Sequence, residues 1–259
     1  MHTWEPERYL TFADERERPF VELLGRVRAT APRTVVDLGC GAGNTTALLA
    51  HRWPQAHVLG IDSSPDMVER AGREPNIEAR TQDLRDWLAA APGAADIDVL
   101  VSNATLQWVP GHLDLLPALT RRVSPEGWLA FSVPANFDEP SHTIRAELAA
   151  DGAYAEYTAD LTHPSSHDAA TYLQALQRLG CTVDAWETTY QHVLHGVDPV
   201  FAWVSGTGAR PTLEALPAEL RHDFEHEFRA RLRQAYPDTG HGVVLPFRRV
   251  FVVARPASS

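Results

Sequence analysis

A strand that runs directly into a glycine-rich turn is the most constraining feature of the sequence. Residues 33–38 form a short apolar run, and three glycines within residues 39–43 separate it from the helical pattern of residues 44–52. Glycine lets backbone amides approach a ligand closely, and the first turn of a helix presents unpaired N–H groups. The junction therefore predicts a strand–loop–helix unit whose loop holds a ligand.

The spacing of the glycines limits which class of ligand the loop can bind. Gly39, Gly41 and Gly43 follow the pattern Gly-x-Gly-x-Gly, whereas a dinucleotide-binding loop needs its third glycine at position 44, which is Asn44. Asp37 also puts a carboxylate at the carboxyl end of the strand, where it repels a pyrophosphate and attracts an ammonium or sulfonium group. The loop therefore suits a cationic nucleoside better than a dinucleotide.

Length and charge limit the fold and the partners. A chain of 259 residues with 44% apolar residues fits one α/β domain with insertions. The net charge of -11 disfavours nucleic acid, which is bound through a basic face. Residues 1–200 hold 15 Arg against 28 acidic residues, while residues 201–259 hold 8 Arg against 6. If the chain binds an anion, the C-terminal region is where its site is expected.

Two cysteines, Cys40 and Cys181, form neither a disulfide framework nor a zinc-binding spacing. The N-terminus lacks the apolar core of a signal peptide, and no apolar run is long enough to cross a membrane. We therefore expect a soluble cytoplasmic protein without a membrane partner. The sequence leaves the oligomeric state open, and a monomer is compatible with it.

A second acidic residue closes the next predicted strand. Residues 57–61 are apolar and end at Asp62, 19 residues past Gly43. A carboxylate at this point of a βαβ unit can accept both hydroxyls of a ribose. Ser63 and Ser64 offer caps for the following helix, so Asp62 is not needed for that task. We interpret Asp62 as a ribose ligand.

The third predicted strand, residues 77–80, is followed by Asp83. A short carboxylate at this edge can accept the amino group of an adenine, with Leu84 packed on the ring. An equally good alternative is that Asp83 caps the helix predicted over residues 84–88. Both interpretations remain open at the level of the sequence.

The fourth strand, residues 97–102, is almost continuously apolar, as buried parallel strands are. Asn103 follows it directly, and Trp108 comes shortly afterwards. Ligands of open α/β sheets bind outside the carboxyl ends of the strands. Four strand ends are therefore predicted to meet at one crevice, namely Asp37, Asp62, Asp83 and Asn103.

The rest of the chain is predicted from periodicity alone. The pattern indicates, in order, a helix over 113–119, a turn at 124–127, a strand over 128–133, helices within 136–180, a strand over 183–192, helices over 198–234 and a strand over 247–253. We interpret 136–170 and 198–240 as insertions that roof the crevice. Residues 1–30 are interpreted as an N-terminal helical lid of two helices. For Trp4 and Tyr9 the simpler alternative is that they anchor this leader to the core.

The motif Asp37-x-Gly39-x-Gly41-x-Gly43, followed by Asp62 and Asp83, resembles that of the class I S-adenosylmethionine-dependent methyltransferases. Their fold is an α/β, Rossmann-like sheet of seven strands whose last two form an antiparallel hairpin. The resemblance implies one methyltransferase domain over 1–259, with an S-adenosylmethionine-binding core at 31–135 and a helical substrate cap plus the last two strands at 136–259. It implies these cofactor contacts: the glycine loop for the methionine moiety, Asp62 and Ser63 for the ribose, Asp83 and Leu84 for the adenine, and Asn103 near the sulfonium.

Within that family the chain is most similar to the branch that methylates trans-aconitate, a small tricarboxylate. The similarity is carried by these segments: Trp4-x-Pro6-x-x-Tyr9-Leu10, Gly60-Ile-Asp-Ser-Ser-Pro65, Asn103-Ala-x-Leu-Gln-Trp108, Thr188-Thr-Tyr-x-His192, Thr207-Gly-x-Arg210-Pro211 and Arg249-x-Phe-x-Val-Ala-Arg255. The resemblance implies that a substrate carboxylate attacks the sulfonium methyl. No general base is needed, because a carboxylate is already ionised at neutral pH.

Holding a tricarboxylate in an acidic protein requires local cations, and Arg binds carboxylates with two parallel hydrogen bonds. The candidates are Arg210 and Arg249, with Arg248, and strand alternation directs only one of the last two inward. The alternatives are that Arg210 ends a helix and that the strand arginine forms a surface ion pair. The residues expected to shape the pocket beside these arginines are Trp108, Tyr190, His192 and Tyr9.

Other functions have weaker support. The pairs His192/His195 and His163/His167 lack the helical setting and third ligand of a zinc site, so no metal is expected. Base-amine methyltransferases place Asn-Pro-Pro-Tyr after the fourth strand, whereas this chain has Asn103-Ala-Thr-Leu. The competing hypotheses are a methyltransferase for another small molecule, a non-catalytic S-adenosylmethionine-binding protein and, less favoured because of Asn44, a nucleotide-dependent oxidoreductase.

Overall fold

The computed structural model describes residues 13–90 and 95–257. The strands of this part of the chain are β1 (Thr34–Leu38), β2 (His57–Asp62), β3 (Ile77–Thr81), β4 (Ile97–Asn103), β5 (Val123–Pro134), β6 (Thr182–Leu194) and β7 (Val243–Arg255). The α-helices are α1 (Ala13–Arg26), α2 (Asn44–Arg52), α3 (Pro65–Ala71), α4 (Leu84–Ala90), α5 (Leu116–Arg122), α6 (Pro140–Ala149), α7 (Gly152–Thr158), α8 (Ala169–Arg178), α9 (Pro199–Ser205), α10 (Arg210–Ala215) and α11 (Ala218–Ala235). Two short 3-10 helices lie at Leu106–Trp108 and His112–Leu115.

All seven strands form one sheet in the order β3-β2-β1-β4-β5-β7-β6. Strands β1 to β5 pair in parallel, whereas β7 is antiparallel to both β5 and β6. The predicted α/β sheet with an antiparallel last pair is therefore confirmed. The carboxyl ends of β1, β2 and β4 lie at the same edge, as parallel pairing requires.

Helix α1 packs on the sheet. Phe20, Leu23, Leu24 and Val27 are buried in one cluster with residues of β1, β4 and β7. Helix α1 therefore uses its apolar stripe against the strands, and the lid stays a prediction. Trp4 and Tyr9 lie outside the described residues.

Of two local predictions, the turn at 124–127 is wrong, and the helix over 113–119 is confirmed with a different first turn. The predicted turn at 124–127 lies within β5, where pairing shifts from Val123 with Ile97 to Trp128 with Val99, so the intervening residues bulge out of the ladder. The helix predicted over 113–119 begins as a 3-10 turn and becomes α-helical only at Leu116. Proline 117 favours the first turn of an α-helix, where its missing N–H costs nothing.

The two insertions form one cap. Strands β6 and β7 pair along their full length, from Thr182 with Arg255 to Leu194 with Val243, and residues 195–242 make a long excursion between them. Helix α11 of this excursion packs on α6 of the first insertion. Their shared core consists mainly of Leu148, Phe201, Trp203, Leu213, Phe224, Phe228 and Leu232. The cap therefore has an apolar core of its own, separate from that of the sheet.

Within residues 13–90 and 95–257, no helix is both long enough and apolar enough to cross a bilayer. Cys40 and Cys181 are both buried free thiols. The two cysteines therefore form no disulfide, as their spacing predicts.

Candidate functional site

A cavity of about 580 Å³ lies where the cap meets the carboxyl edge of the sheet. Its volume is in the range of small-molecule sites. Gly39, Gly41 and Asp62 line one side, and Arg249 and Arg210 are also on its wall. One cavity therefore brings the glycine loop together with the two predicted arginines.

Two glycines of the loop have different tasks. Gly39 has φ +79°, and a Cβ there would lie 1.9 Å from Oγ1 of Thr105. Gly43 has φ +90°, and its Cβ would lie 2.8 Å from Cα of Ala71. Gly39 lines the cavity, whereas Gly43 does not. Gly43 therefore allows α2 to pack closely on α3, and a contact of its backbone with the cofactor stays a prediction.

Asp62 ties the loop to the end of β2. Its Oδ2 accepts the backbone N–H of Gly41 at 3.0 Å, and its Oδ1 accepts that of Ser64 at 2.9 Å. The backbone N–H of Ser63 is a third partner. A carboxylate has about four acceptor positions, so Asp62 keeps acceptor capacity for a ligand. Burial raises the pKa of Asp62 above its usual range, against the effect of these backbone hydrogen bonds. Asp62 and Ser63 both line the cavity.

Asp37 lies beneath the glycine loop and not on the cavity wall. Its carboxylate is 1% exposed, and Oδ2 accepts the hydroxyl of Thr46 at 2.7 Å. Burial raises its pKa to about 6, while the Thr46 hydrogen bond acts in the opposite direction. The predicted direct approach of Asp37 to a cation is therefore corrected, because the side chain points into the start of α2.

The structure shows Asp83 as a helix cap. Asp83 is exposed, and its Oδ1 accepts the backbone N–H of Arg85 at 2.7 Å and of Asp86 at 3.4 Å. Leu84 is buried in the core of the sheet. Neither residue is on the wall of this cavity, so these contacts support the cap, and an adenine contact of Asp83 and Leu84 stays a prediction. Sequence reasoning missed Met67, which is buried and does line the cavity.

The end of β4 contributes two of the predicted residues. Asn103 lines the cavity and its Oδ1 accepts the hydroxyl of Ser132 at 2.6 Å. Trp108 lines the cavity from the 3-10 helix that follows. Gln107 of the same helix also lines it, and its Nε2 donates to the carbonyl of Ala104 at 2.6 Å. The predicted crevice thus exists at this strand end.

The structure decides between the two adjacent arginines of β7. Arg249 is 5% exposed and lines the cavity. Arg248 points away, donates to the carbonyl of Ala135 at 2.9 Å and pairs with Glu187 at 3.2 Å. This is the alternation expected of a strand. Only Arg249 can therefore contact a ligand in the cavity.

Arg210 also lines the cavity, with 12% of its side chain exposed. It begins α10, so the alternative that it ends a helix is wrong. Its Nε donates to Oε1 of Glu214, one turn later, at 2.5 Å. This ion pair holds the guanidinium at the rim of the cavity.

The two predicted pocket residues of β6, Tyr190 and His192, have different surroundings. His192 lines the cavity, and its ring stacks on Trp203 at 4.8 Å between centroids. Tyr190 is buried beneath α1, where its hydroxyl donates to Glu22 at 2.6 Å, and it does not line the cavity. The predicted pocket role of Tyr190 is therefore corrected, because α1 covers this part of the strand. Tyr9 lies outside the described residues.

Polar residues after β5 were not anticipated. Asn136, Ser141 and His142 line the cavity, and the first two are 4% and 2% exposed. Burial lowers the pKa of His142 to about 4, and Arg145 acts in the same direction, so this imidazole is neutral at pH 7. The signal available in the sequence was that Asn136 comes shortly after the end of β5, much as Asn103 ends β4. Within the described ranges, no three His, Cys, Asp or Glu side chains are grouped to hold a metal.

The sheet order and the glycine loop tied to an acidic strand end define a class I methyltransferase fold. A family model described as "Methyltransferase domain" matches residues 9–185. The trans-aconitate 2-methyltransferase of Streptomyces avermitilis is 49% identical, over 97% of this chain and 96% of that protein. The enzyme of the same name from Mycobacterium tuberculosis is 44% identical, over 97% and 96%. The chain belongs to the trans-aconitate 2-methyltransferase family.

Solved structures agree with the fold. YcgJ from Bacillus subtilis has a TM-score of 0.59 at 13% identity, covering 93% of this chain and 99% of that one. Geranyl diphosphate C-methyltransferase from Streptomyces coelicolor, in complex with Mg2+, geranyl diphosphate and S-adenosyl-L-homocysteine, has a TM-score of 0.52 at 15% identity, covering 93% and 77%. At these identities the similarity concerns the fold alone.

Proposed function

We propose that this protein transfers a methyl group from S-adenosyl-L-methionine to a carboxylate of trans-aconitate, giving the monomethyl ester and S-adenosyl-L-homocysteine. The observation that carries the proposal is the single cavity that runs from the glycine loop and Asp62 to Arg249 and Arg210. The names of the relatives support the same substrate.

The residues present fit the cofactor. A Cβ at Gly41 would meet no atom within 4 Å, so the backbone of the loop is open toward the cavity. Asp62 keeps acceptor positions for the ribose hydroxyls, and Ser63 lies beside it. Met67 offers an apolar surface for the adenine. When bound, S-adenosyl-L-methionine supplies a methyl group carried on a sulfonium.

The protein contributes positioning and electrostatics. A tricarboxylate carries its own ionised nucleophile, so no side chain has to remove a proton. Arg249 and Arg210 hold the substrate carboxylates in a cavity where attraction between opposite charges is stronger than in water. Trp108 and Trp203 line the same space with apolar surface and exclude water from it.

The net charge and the cysteines bear on the partners and the cellular location of the enzyme. The substrate is a small tricarboxylate, and the net charge of -11 disfavours nucleic acid as a partner. A cytoplasmic location stays a prediction, consistent with two cysteines that are both free thiols.

The test is the release of S-adenosyl-L-homocysteine from S-adenosyl-L-methionine with trans-aconitate, cis-aconitate, citrate or no acid. We expect release that depends on trans-aconitate. Arg210→Ala should reduce kcat/KM by about 10-fold or more, because a charge-assisted hydrogen bond is lost. Arg248→Ala is the matched control, since this side chain points away from the cavity.

Two other results would replace the proposal. Release with a different acid would identify a methyltransferase for another small molecule. Binding of S-adenosyl-L-methionine without release from any of the acids would favour a different substrate class or a non-catalytic binding protein.

A further inference from the structure

Three buried polar side chains on the cavity wall each have one atom without a hydrogen-bond partner in the described part of the chain. The atoms are Oε1 of Gln107, Oδ1 of Asn136 and Oγ of Ser141. The three residues are 5%, 4% and 2% exposed, and all line the cavity. Buried polar atoms are normally paired, so three such atoms on one wall indicate that a polar ligand completes them.

These residues follow the order of the strands. Gln107 comes just after β4, the neighbour of the strand that carries the glycine loop, and Asn136 comes just after β5. Arg249 lies on β7, one strand further, where its Cα pairs with that of Pro134. Arg210 belongs to the cap. In strand order, Gln107 and Asn136 therefore lie between the glycine loop and Arg249.

The side-chain amide of Gln107 indicates which end of the cavity binds the cofactor. Its Nε2 donates to the carbonyl of Ala104 at 2.6 Å, so the oxygen of this amide is the atom left without a partner within the described residues. An amide oxygen attracts a cation and repels a carboxylate. Asn136 makes no comparable side-chain hydrogen bond among the described residues, so its amide can turn its NH2 group toward an anion.

The chemistry of the reaction sets the requirement for the nucleophile. One carboxylate oxygen forms a bond to the methyl carbon, the bond from methyl to sulfur breaks, and its electron pair stays on sulfur. No proton moves, and the carboxylate becomes a neutral ester. A contact that is stronger with the charged ground state than with the transition state slows this step. An arginine on the reacting carboxylate would be such a contact.

We propose that Asn136 and Ser141 form an uncharged subsite for the carboxyl group that receives the methyl, while Arg249 and Arg210 hold carboxylates that do not react. This inference rests on the proposed function. The hydroxyl of Ser141 and the amide of Asn136 donate hydrogen bonds that orient the nucleophile without fixing its charge. His142, the neighbour of Ser141, is neutral and adds no charge to this subsite.

Substitutions in the two sets of residues should change different kinetic constants, kcat for the uncharged subsite and KM for the arginines. Ser141→Ala and Asn136→Ala should each lower kcat with trans-aconitate by about 10-fold, because one orienting hydrogen bond is lost. The KM should stay within about 3-fold, since the arginines still bind the acid. Arg249→Gln should raise KM by about 10-fold or more.

The identity of the ester is the sharper readout, because a purely structural role would not change it. Resolving the monomethyl esters by NMR should show a second regioisomer with Ser141→Ala and Asn136→Ala. Ser141→Thr keeps a hydroxyl and should restore the wild-type product. Ser205→Ala is the matched control, since this buried serine donates to the carbonyl of Ala202 and does not line the cavity.

Asn136→Asp adds a test that does not depend on a cavity being created. The side chains are nearly isosteric, and the added carboxylate should lower kcat/KM by about 100-fold or more through repulsion of the substrate. Affinity for S-adenosyl-L-homocysteine should stay within about 3-fold, which verifies the fold.

The outcomes are distinguishable. If the wild type is active and the Ser141 and Asn136 variants match Ser205→Ala in kcat and in ester composition, the subsite is wrong and the proposed function stands. If the wild type releases no S-adenosyl-L-homocysteine with trans-aconitate, the proposed function is wrong and the subsite falls with it.

Discussion

The backbone amide of Gly41 donates to the carboxylate of Asp62, so the glycine loop after β1 is held by the acidic end of β2. The same carboxylate faces the cavity. One side chain therefore fixes the shape of the loop and offers acceptors to a ligand. Any change at Asp62 is expected to act on both.

Asp62→Ala removes these acceptors. We expect the affinity for S-adenosyl-L-homocysteine to fall by about 10- to 100-fold, because hydrogen bonds to a charged group are lost. Isothermal titration calorimetry measures the affinity, and circular dichroism verifies the fold. Unchanged affinity would remove Asp62 from the cofactor site.

Asp83→Ala distinguishes the cap from the adenine ligand. A lost N-cap should lower the free energy of unfolding by about 1 kcal/mol, with the cofactor affinity within about 3-fold of wild type. Denaturant unfolding and the same calorimetry measure both quantities. A large loss of affinity without loss of stability would restore the adenine interpretation.

Gly39→Ala should prevent a native loop. The new methyl group would lie 1.9 Å from Oγ1 of Thr105, at a φ of +79°. The left-handed conformation alone costs about 1–2 kcal/mol for a residue with a Cβ. We expect a lower midpoint of thermal unfolding and loss of cofactor binding.

Thr105→Gly in the Gly39→Ala background removes the opposing side chain. It should recover part of the thermal stability, because the contact but not the backbone strain is relieved. Additive effects of the two substitutions would show that the clash with Thr105 is not the cause.

Asp37 should make the stability depend on pH. Its pKa is about 6 in the folded protein, against an ordinary value near 3.8, so the folded state binds its proton more tightly than the unfolded state. The stabilisation is complete below about pH 4 and is lost as the pH rises through 6. The free energy of unfolding of Asp37→Asn minus that of wild type should therefore rise by about 3 kcal/mol between pH 4 and pH 7.

Urea unfolding of both proteins at pH 4, 5, 6 and 7 measures this difference. The free energy of unfolding of Asp37→Asn minus that of wild type should rise with pH and level off above 6. A difference independent of pH would contradict the raised pKa.

Tyr190→Phe tests a position where sequence and structure disagree. The hydroxyl donates to Glu22 beneath α1, so its removal should lower the free energy of unfolding by about 1–2 kcal/mol. Because Tyr190 does not line the cavity, the KM for trans-aconitate should stay within about 2-fold of wild type. A raised KM at unchanged stability would return Tyr190 to the substrate site.

The cofactor half was largely predictable because its signals are local. Apolar runs fix the strands, and parallel strands must end at one edge, so Asp62, Asn103 and the glycine loop could be placed together from the sequence. The residues that the sequence leaves open are those whose local pattern fits two tasks. Asp83 is an example, because a strand end and a helix start coincide there.

The substrate half depends on contacts between distant segments. Tyr190 and His192 share one face of β6, yet Tyr190 is covered through a contact with Glu22, 168 residues away, and only His192 reaches the cavity. Asn136 and Ser141 become cavity residues only because the two insertions pack together. No periodicity within a single segment carries that information.

The excursion over residues 195–242 starts after Leu194 and returns at Val243, whose Cα atoms are partners in the sheet. Its two ends are therefore fixed side by side by β6 and β7, whatever lies between them. A segment of different length or sequence can be inserted there at a small entropic cost of closure. Residues 195–242 can therefore be replaced as one unit during evolution. Such a replacement would change the acid that is bound and leave the cofactor-binding part of the chain unchanged.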